Sequence, residues 1–361
     1  MVDAFHLRLK MKVLIYGEFP RGSGAWCYAE SLREMGCGVF EFRNDEGLEL
    51  YEKNQLARIY RRVRGVLEIH RRQHIRSLVE FAERIQPELV IILKGLLIGR
   101  EDVQMMRRRS QWVVNINHDD FFSHNPNNRS MLQRTALPHY DYVFTTREVN
   151  VDEVRRLNPS VEFFPFAYYP RIHRPVSIPP EEHGKWSSDV VFIGTWEQER
   201  CKLLETLVRR VRCRYAIWGT QWNKAGKWSP LKEFIRGREA VMDEMAKVIG
   251  GAKVALAFLR KENRDDYTQR TFEIPACGGV LLGERTRRHL EFFREGEEAE
   301  FFDHNSPDEM VAKVQMLLTN NDHRENVRAT GRAALLRQPH TYRDRMERVL
   351  ELYNKHRRPI R

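Results

Sequence analysis

The sequence lacks an apolar segment long enough to cross a membrane. Its longest nearly apolar stretch, Leu89–Gly99, is interrupted by Lys94, whereas a transmembrane helix needs about 20 apolar residues. No basic and apolar leader opens the chain, so we expect no export signal. The 5 cysteines include no CxxC pair, which favours reduced thiols over a disulfide framework or a zinc site. We therefore expect a soluble, cytoplasmic protein.

The chain also lacks the patterns that hold catalytic metals or dinucleotides. It contains no Asp-x-Asp motif and no His/Cys cluster with ligand spacing, so we predict that no metal is required. Gly22, Ser23 and Gly24 do not have the spacing of a dinucleotide fingerprint, which gives little support to oxidoreductase chemistry. We predict no cofactor.

Positive charge is in excess, because 61 Lys and Arg residues stand against 50 Asp and Glu residues, for a net charge of +11. Such an excess attracts nucleic acids, acidic membrane surfaces or phosphorylated small molecules. Much of it lies in Arg58–Arg76 and Arg107–Arg109. Since a charge run is usually a solvated helix face, charge alone does not separate a nucleic-acid binder from an enzyme with a phosphorylated substrate.

Length and hydrophobic pattern predict two domains. Short apolar runs alternate with segments of helical period, which is typical of βαβ units and a parallel sheet. Five prolines between positions 165 and 186 interrupt the alternation and indicate a linker. The predicted parts are a Rossmann-like domain at 11–168, a proline-rich linker at 169–186, a second α/β domain at 187–339 and a C-terminal helix at 340–357 that can return to the first domain.

The stretch Asp265–Gly279 has the most chemical content. Thr268 or Thr271 is placed to cap a short helix whose free amides attract phosphate. Arg270 adds a planar, positively charged guanidinium beside that helix start. Glu273, one turn further, offers two acceptors that suit a pair of ribose hydroxyls. The alternative interpretation is an ordinary capped helix with a solvated glutamate.

This stretch contains the first of five recognisable segments. They are Thr268–Gly279, Glu284–Thr286, Phe292–Glu298, Gly331–Arg332 and His340–Tyr342. Together they resemble the glycosyltransferase domain of the spore-maturation CgeB family, over about residues 187–355. The resemblance implies an α/β GT-B fold, in which two Rossmann-like, doubly wound domains face each other across a cleft. It also implies that the C-terminal domain, similar to glycosyltransferase family 1, binds a nucleotide sugar, with the first domain on the acceptor side.

The resemblance implies that Glu273 takes the ribose and that the helix start near Thr271 faces the diphosphate. Related retaining enzymes carry two glutamates eight positions apart, and here Asp265 stands at the first of those positions. After a predicted strand, Gly194 and Thr195 can bring backbone amides to a phosphate, and Arg200 can neutralise it. The predicted donor-binding residues are Gly194, Thr195, Arg200, Asp265, Thr268, Gln269, Arg270, Thr271 and Glu273.

The predicted catalytic residues lie in the first domain. His118 and Asp119 directly follow an apolar strand, where a side chain can take the proton of an acceptor hydroxyl. Lys94, at the end of another strand, is a further candidate, more for a structural or phosphate contact than for a base. Gly22, Ser23 and Gly24 form the acceptor-side or sugar-side loop. A polar loop or a helix cap is the plainer interpretation of the His118 segment.

The sequence therefore predicts a metal-independent, hexosyltransferase-like GT-B enzyme. Its partners are a nucleoside-diphosphate-sugar donor and an unidentified acceptor, which is a glycan, a protein, a lipid-linked molecule or a small molecule. One alternative is a nucleic-acid or anionic-surface binding protein that uses Arg58–Arg76, and another is a GT-B protein without activity. For the enzyme, we expect no nucleic-acid partner, and peripheral association with an anionic surface remains compatible with its charge.

Overall fold

The computed structural model describes residues 11–44, 64–124, 128 and 130–359. The chain divides into two compact units. The first unit is drawn from Met1–Pro165, Glu262–Arg264 and Tyr342–Arg361, and the second from Phe166–Lys261 and Asp265–Thr341. The last helix of the chain and a short excursion from its second half are therefore part of the first unit.

The first unit is built on a six-stranded parallel sheet. Its strands are β1 (Lys12–Gly17), β2 (Gly38–Arg43), β3 (Leu89–Leu93), β4 (Trp112–Asn117), β5 (Tyr142–Thr145) and β6 (Val161–Phe163). Its helices are α1 (Gly24–Glu34), α2 (Arg64–Ile85), α3 (Arg100–Arg107), α4 (Met131–Ala136), α5 (Glu148–Arg155) and α13 (Tyr342–His356). The apolar run of β3 is buried at every position, as is typical of a central strand in a parallel sheet.

The second unit is built on a five-stranded parallel sheet. Its strands are β7 (Ser188–Ile193), β8 (Tyr215–Trp218), β9 (Ala252–Ala257), β10 (Leu281–Glu284) and β11 (Glu300–Phe302). Its helices are α6 (His183–Trp186), α7 (Gln198–Arg210), α8 (Asp243–Gly250), α9 (Arg270–Ala276), α10 (Arg287–Phe292), α11 (Pro307–Thr319) and α12 (Asn321–Leu336). Apolar residues of β7, β9, α7 and α11 share one core.

The two sheets have the same topology over five strands. The order is β2-β1-β3-β4-β5-β6 in the first and β11-β10-β9-β7-β8 in the second. In each sheet, the first strand lies between the second and the third, which makes a topological switch point. Doubly wound sheets bind ligands outside the carboxyl ends of their strands at such a point. Residues that follow β1, β3, β7 and β9 are therefore the first candidates for a site.

The predicted linker, residues 169–186, packs within the second unit. Tyr169, Ile172, His173 and Trp186 are all buried there, and α6 ends the stretch. Proline prevents a long helix but does not prevent side chains from packing, so this segment is part of the unit rather than a free connector. Within the described residues, no helix has both the length and the apolar character needed to cross a membrane.

Candidate functional site

The turn after β7 in the second unit is packed tightly against the turn after β8. The amide of Gly194 donates to Trp218 O at 2.9 Å, and Trp222 Nε1 donates to Gly194 O at 2.9 Å. Gly219 has a φ of +137°, and a Cβ at this position would lie 2.0 Å from Gly194 O. Glycine is required at position 219 for both reasons. The predicted donor residues Gly194 and Thr195 therefore lie on a closely packed turn.

Helix α9 begins at Arg270, and the prediction that Thr268 or Thr271 caps it is wrong. The N-cap residue is Gln269, which makes no side-chain capping hydrogen bond. Thr271 lies inside the helix, and its hydroxyl oxygen accepts from Thr268 N at 3.1 Å. Because α9 has only 7 residues, its few aligned peptide dipoles contribute little to anion binding. An anion at this helix start would therefore have to be bound by side chains.

A buried imidazole fixes the position of Thr271. His289 Nδ1 lies 2.6 Å from the carbonyl oxygen of Glu284, to which it donates. Its Nε2 therefore accepts from the Thr271 hydroxyl, 2.9 Å away. Burial lowers the pKa of His289 to about 4, so the ring is neutral at neutral pH. The start of α9 is held by this uncharged network.

Glu273 is a buried carboxylate, with 2% of the residue exposed. Gln269 Nε2 donates to its Oε1 at 2.6 Å, and Arg270 Nη1 donates to its Oε2. His173 Nε2 lies 3.3 Å from Oε1. A buried carboxylate is costly unless it accepts hydrogen bonds, and here Gln269 and Arg270 both donate to it. The alternative of a solvated glutamate on an ordinary helix therefore does not fit.

Arg270 connects α9 to the end of β7. Its Nε donates to Ile193 O at 3.2 Å, and 27% of its side chain is exposed. Among the described residues, Arg270 Nη2 has no hydrogen-bond partner. The structure thus brings Arg270, Glu273 and the Gly194 turn together, and it leaves a guanidinium nitrogen able to bind an anion.

Arg200 and Asp265 are occupied by contacts with the backbone. Arg200 is 7% exposed and donates to Thr195 O at 3.4 Å and to Phe258 O at 3.0 Å. Burial lowers the pKa of this guanidinium. Asp265 Oδ2 accepts from Arg260 N at 3.3 Å. Both residues lie near the predicted donor edge, but these contacts support its loops.

In the first unit, charged side chains follow β3 and β4. Lys94 Nζ lies 2.7 Å from Asp119 Oδ2, so the lysine after β3 pairs with the acid after β4. Asn263 Nδ2 donates to Asp119 Oδ1 at 3.3 Å. Lys94 has a φ of +57°, which is uncommon for a residue other than glycine and is often found at functional sites. Asp119 is therefore held from two directions beside a strained strand end.

His118 lies against the Gly22–Gly24 turn. A Cβ on Gly24 would lie 3.1 Å from His118 Cε1, and the Tyr28 hydroxyl lies 2.9 Å from His118 Nε2. Ser23 caps α1 by accepting from a backbone amide of the first turn at 3.3 Å. Burial lowers the pKa of His118 to about 4. The structure thus brings the predicted catalytic residues and the predicted acceptor-side turn to one edge of the first sheet.

Sequence reasoning missed the residues that organise this edge. Arg147 Nη1 donates to His118 O, and Arg147 Nε donates to Asn263 O at 2.7 Å. Asp120 is fully buried and forms an ion pair with Arg264 at 2.5 Å. These partners come from distant parts of the chain, so no local pattern in the sequence signals them.

Two further predictions concern the basic stretch Arg58–Arg76, which the alternative function uses as a binding surface, and the expectation that no metal is required. Residues 58–63 of Arg58–Arg76 lie outside the described residues. In the described part, Arg71 pairs with Asp102 at 2.8 Å and Arg76 pairs with Glu80 at 2.9 Å, so these two arginines have acidic partners nearby. Across the described ranges, no group of three or more His, Cys, Asp or Glu residues is arranged to hold a metal ion.

Comparison with known proteins relates this geometry to a family and a fold. Residues 199–351 match the family described as glycosyl transferase-like, and no curated protein matches the sequence. Anabaena Alr3699/HepE in complex with UDP and glucose is similar in structure, with a TM-score of 0.66, 11% identity, and coverage of 96% of this chain and 100% of that chain.

Two other solved structures are similar to a comparable degree. For a sucrose-phosphate synthase from Thermosynechococcus elongatus, the TM-score is 0.63, with 12% identity and coverage of 96% and 99%. For a glycosyltransferase from Rickettsia africae, the TM-score is 0.63, with 11% identity and coverage of 96% and 98%. With the two parallel sheets, these likenesses fit a two-domain, Rossmann-like GT-B fold, and the family match supports a glycosyltransferase.

Proposed function

We propose that this protein transfers a sugar from a nucleoside diphosphate to an acceptor, and that the donor binds at the Glu273 edge of the second unit. The observation that carries the proposal is the adjacency of Glu273 and Arg270 at the end of β7. Both residues lie inside the part of the chain that matches the glycosyl transferase-like family. A carboxylate beside a guanidinium suits the two polar parts of a nucleoside diphosphate, its ribose and its phosphates.

In this proposal, each residue of the pair has one part of the donor to bind. Glu273 accepts a ribose hydroxyl, and Arg270 donates to the diphosphate through Nη2. Thr195 belongs to the adjacent turn and lies next to the proposed phosphate position, whereas the Gly194 amide is used by Trp218 O and packs the turn. Arg200 supports that turn through its bonds to carbonyl oxygens and does not touch the phosphate. Uridine is the base to test first, because Anabaena HepE has been solved with UDP.

The chemical step breaks the bond between the anomeric carbon and the diphosphate oxygen, and it forms a bond from that carbon to the acceptor. Negative charge develops on the departing diphosphate, so catalysis requires a fixed positive group there. Arg270 is that group, which lets the reaction proceed without a metal ion. The acceptor proton passes to a base, and Asp119 and His118 of the first unit are the two groups that we propose for that role.

Finer assignments follow from the sequence segments and the cysteines. We place the protein in the CgeB-like group on the segments that begin with Thr268–Gly279, and we expect a hexose as the transferred sugar. All five cysteines are free, which fits a reducing compartment such as the cytoplasm. The acceptor is a nucleophile whose class only an acceptor screen will define.

The test is calorimetric binding of UDP, GDP and ADP to wild type and to Glu273→Gln. Glutamine keeps the shape but loses the charge, whereas alanine would leave the donors of Gln269 and Arg270 without their acceptor. We expect affinity for the preferred nucleotide to fall about tenfold, as for one charge-assisted hydrogen bond, while the melting temperature stays close to that of wild type.

Glu298→Gln is the matched control, because Glu298 is also buried and pairs with Arg294 at 2.8 Å in the same unit. It should bind nucleotide like wild type. Equal affinity in folded Glu273→Gln would contradict the donor site. Absence of nucleotide binding together with salt-sensitive binding of nucleic acid would favour the alternative function, since phosphate-backbone binding weakens steeply with salt.

A further inference from the structure

The first unit contains an open cavity of about 600 Å³ at the edge of its sheet that the proposed reaction does not use. The cavity is bounded by the turn between α2 and β3, by the end of α3 with the turn into β4, and by the residues that follow α13. These segments lie at the amino ends of β3 and β4, whereas Lys94, His118 and Asp119 follow the carboxyl ends of the same strands. The volume is in the range of small-molecule sites.

Arginine dominates the charged lining of this cavity. Among the described residues that line it, four are arginines and one is an acid; they are Arg107, Arg108, Arg109, Arg358 and Glu88. Two more carboxylates contact these arginines, because Arg109 Nε donates to Glu83 Oε1 at 2.7 Å and Arg358 Nη1 donates to Asp141 Oδ1. Four guanidinium groups therefore meet three carboxylates, and positive charge is in excess.

Hydrogen bonds between the bounding segments fix the walls of the cavity. Arg358 N donates to Gln111 O at 3.1 Å, and Arg358 Nη2 donates to Ser110 O at 3.2 Å. Gln111 N donates to Glu88 O at 2.9 Å. The cavity therefore has a defined shape before any ligand binds, which lowers the cost of binding.

Two arginines of the lining have unused donors. Arg107 Nη2 lies 2.8 Å from Asp141 Oδ1, but Arg107 Nε is buried and has no hydrogen-bond partner among the described residues. Arg108 is exposed, and its guanidinium has no partner in the part of the chain that the structure describes. A buried donor without an acceptor costs free energy, and an anion that accepts from Arg107 would remove that cost.

We propose that this cavity binds a phosphorylated small molecule, with the phosphate held by Arg107 and Arg108. Planar guanidinium groups match phosphate oxygens and bind them through charge-assisted hydrogen bonds. Glu88 accepts from Lys12 N through Oε2 at 2.8 Å, and its Oε1 is an acceptor for a hydroxyl of the same ligand. A sugar phosphate has both kinds of group. The site belongs to the first unit, and the inference does not depend on the proposed donor site.

The experiment titrates glucose 6-phosphate into the wild type and into Arg108→Gln by calorimetry. Because the Arg108 guanidinium has no partner in the described part of the chain, the variant should keep the melting temperature of the wild type. We expect the wild type to bind glucose 6-phosphate, inorganic phosphate to compete with it, and Arg108→Gln to bind about tenfold more weakly, as when a hydrogen bond to a charged group is lost.

Arg156→Gln is the matched control. Arg156 is the C-cap residue of α5 as Arg108 is of α3, both helices have 8 residues, and both arginines are exposed. Arg156 is not among the described residues that line the cavity, so this variant should bind glucose 6-phosphate like the wild type. Glu273→Gln should also do so, since it alters only the proposed donor site.

Failure of the wild type to bind glucose 6-phosphate at millimolar concentration overturns the inference, as does wild-type affinity in Arg108→Gln. An equal loss in Arg156→Gln would show a general effect of charge, and a loss in Glu273→Gln would place the ligand at the donor site; either result also overturns it. Flotation with vesicles that contain phosphatidic acid tests a lipid source of the phosphate. Arg108-dependent binding to these vesicles without binding of glucose 6-phosphate overturns a soluble ligand in favour of a lipid headgroup.

Discussion

The carboxyl ends of the two sheets share a strand order but differ in chemistry. In the second unit, a buried carboxylate, Glu273, is surrounded by donors, and a partly exposed arginine lies beside it. In the first unit, the acid Asp119 is more exposed and pairs with a lysine, next to a neutral histidine. The same topology therefore supports two kinds of site, because the fold sets positions and the side chains set the chemistry.

The two edges differ in proposed role: one recognises a ligand through a fixed carboxylate, and the other accepts a proton. Glu273 accepts hydrogen bonds from two side chains, which suits recognition of a ligand with fixed geometry. Asp119 and His118 are the residues proposed to take up a proton, and burial lowers the pKa of His118 to about 4, so its ring is unprotonated at neutral pH. We therefore assign donor recognition to the second unit and proton transfer to the first.

The largest expected effect is on turnover at the first edge. Loss of a general base typically lowers rate by about 10²–10⁴-fold, so Asp119→Asn or His118→Ala should reduce turnover by that range while UDP affinity stays constant. Kinetic assays and calorimetry measure the two quantities separately. Asp152→Asn, at an exposed acid of the same unit, is the control. Normal turnover in both variants would place the base elsewhere, and weaker UDP binding would reverse the assignment of the two edges.

A somewhat smaller effect distinguishes two arginines of the second edge. Removing a group that stabilises developing charge costs about 10²–10³-fold in turnover, so Arg270→Gln should lose that much. Arg200→Gln should instead lower the melting temperature, because its bonds to Thr195 O and Phe258 O are lost inside the unit. If Arg200→Gln loses turnover at unchanged stability, the phosphate contact belongs to Arg200.

Acid should destabilise both units through their buried histidines. His118 in the first unit and His289 in the second have folded pKa values of about 4, against about 6.5 in an unfolded chain. As pH falls from 6.5 towards 4, the unfolded chain takes up protons that the folded chain does not. The free energy of unfolding should therefore decrease by up to about 1.4 kcal/mol per pH unit for each imidazole.

Urea unfolding at about pH 7, 6 and 5 measures this slope. His289→Asn should flatten it, because the variant has no imidazole to protonate in the second unit. An unchanged slope in His289→Asn would show that this ring does not titrate as proposed.

The smallest expected effect is that of a chelator. If Arg270 neutralises the departing diphosphate, turnover in EDTA should equal turnover without it. Loss of activity in EDTA, restored by magnesium or manganese, would show that a metal ion does this work and would reduce Arg270 to a binding residue.

Local patterns predicted the regular parts of the fold. The apolar run Leu89–Leu93, which ends at Lys94, predicted a buried strand, and the structure places a strand there. The chemical content of Asp265–Gly279 also lies in a continuous segment, so the sequence alone indicated its importance. Helix α12 was not predicted, because few of its residues are buried apolar ones and its helical period is correspondingly weak.

The surroundings of each functional side chain were decided by the tertiary structure. The sequence determined where most strands and helices form, which short segment carries the residues of the proposed donor site, and which residues follow the strand ends, because these depend on neighbours in the chain. Only the folded protein decided that Thr271 bonds to His289, that Arg200 is buried, that His173 reaches Glu273, and that Asn263 reaches Asp119. Such contacts join residues far apart in the sequence, so hydrophobic period and spacing carry no signal for them.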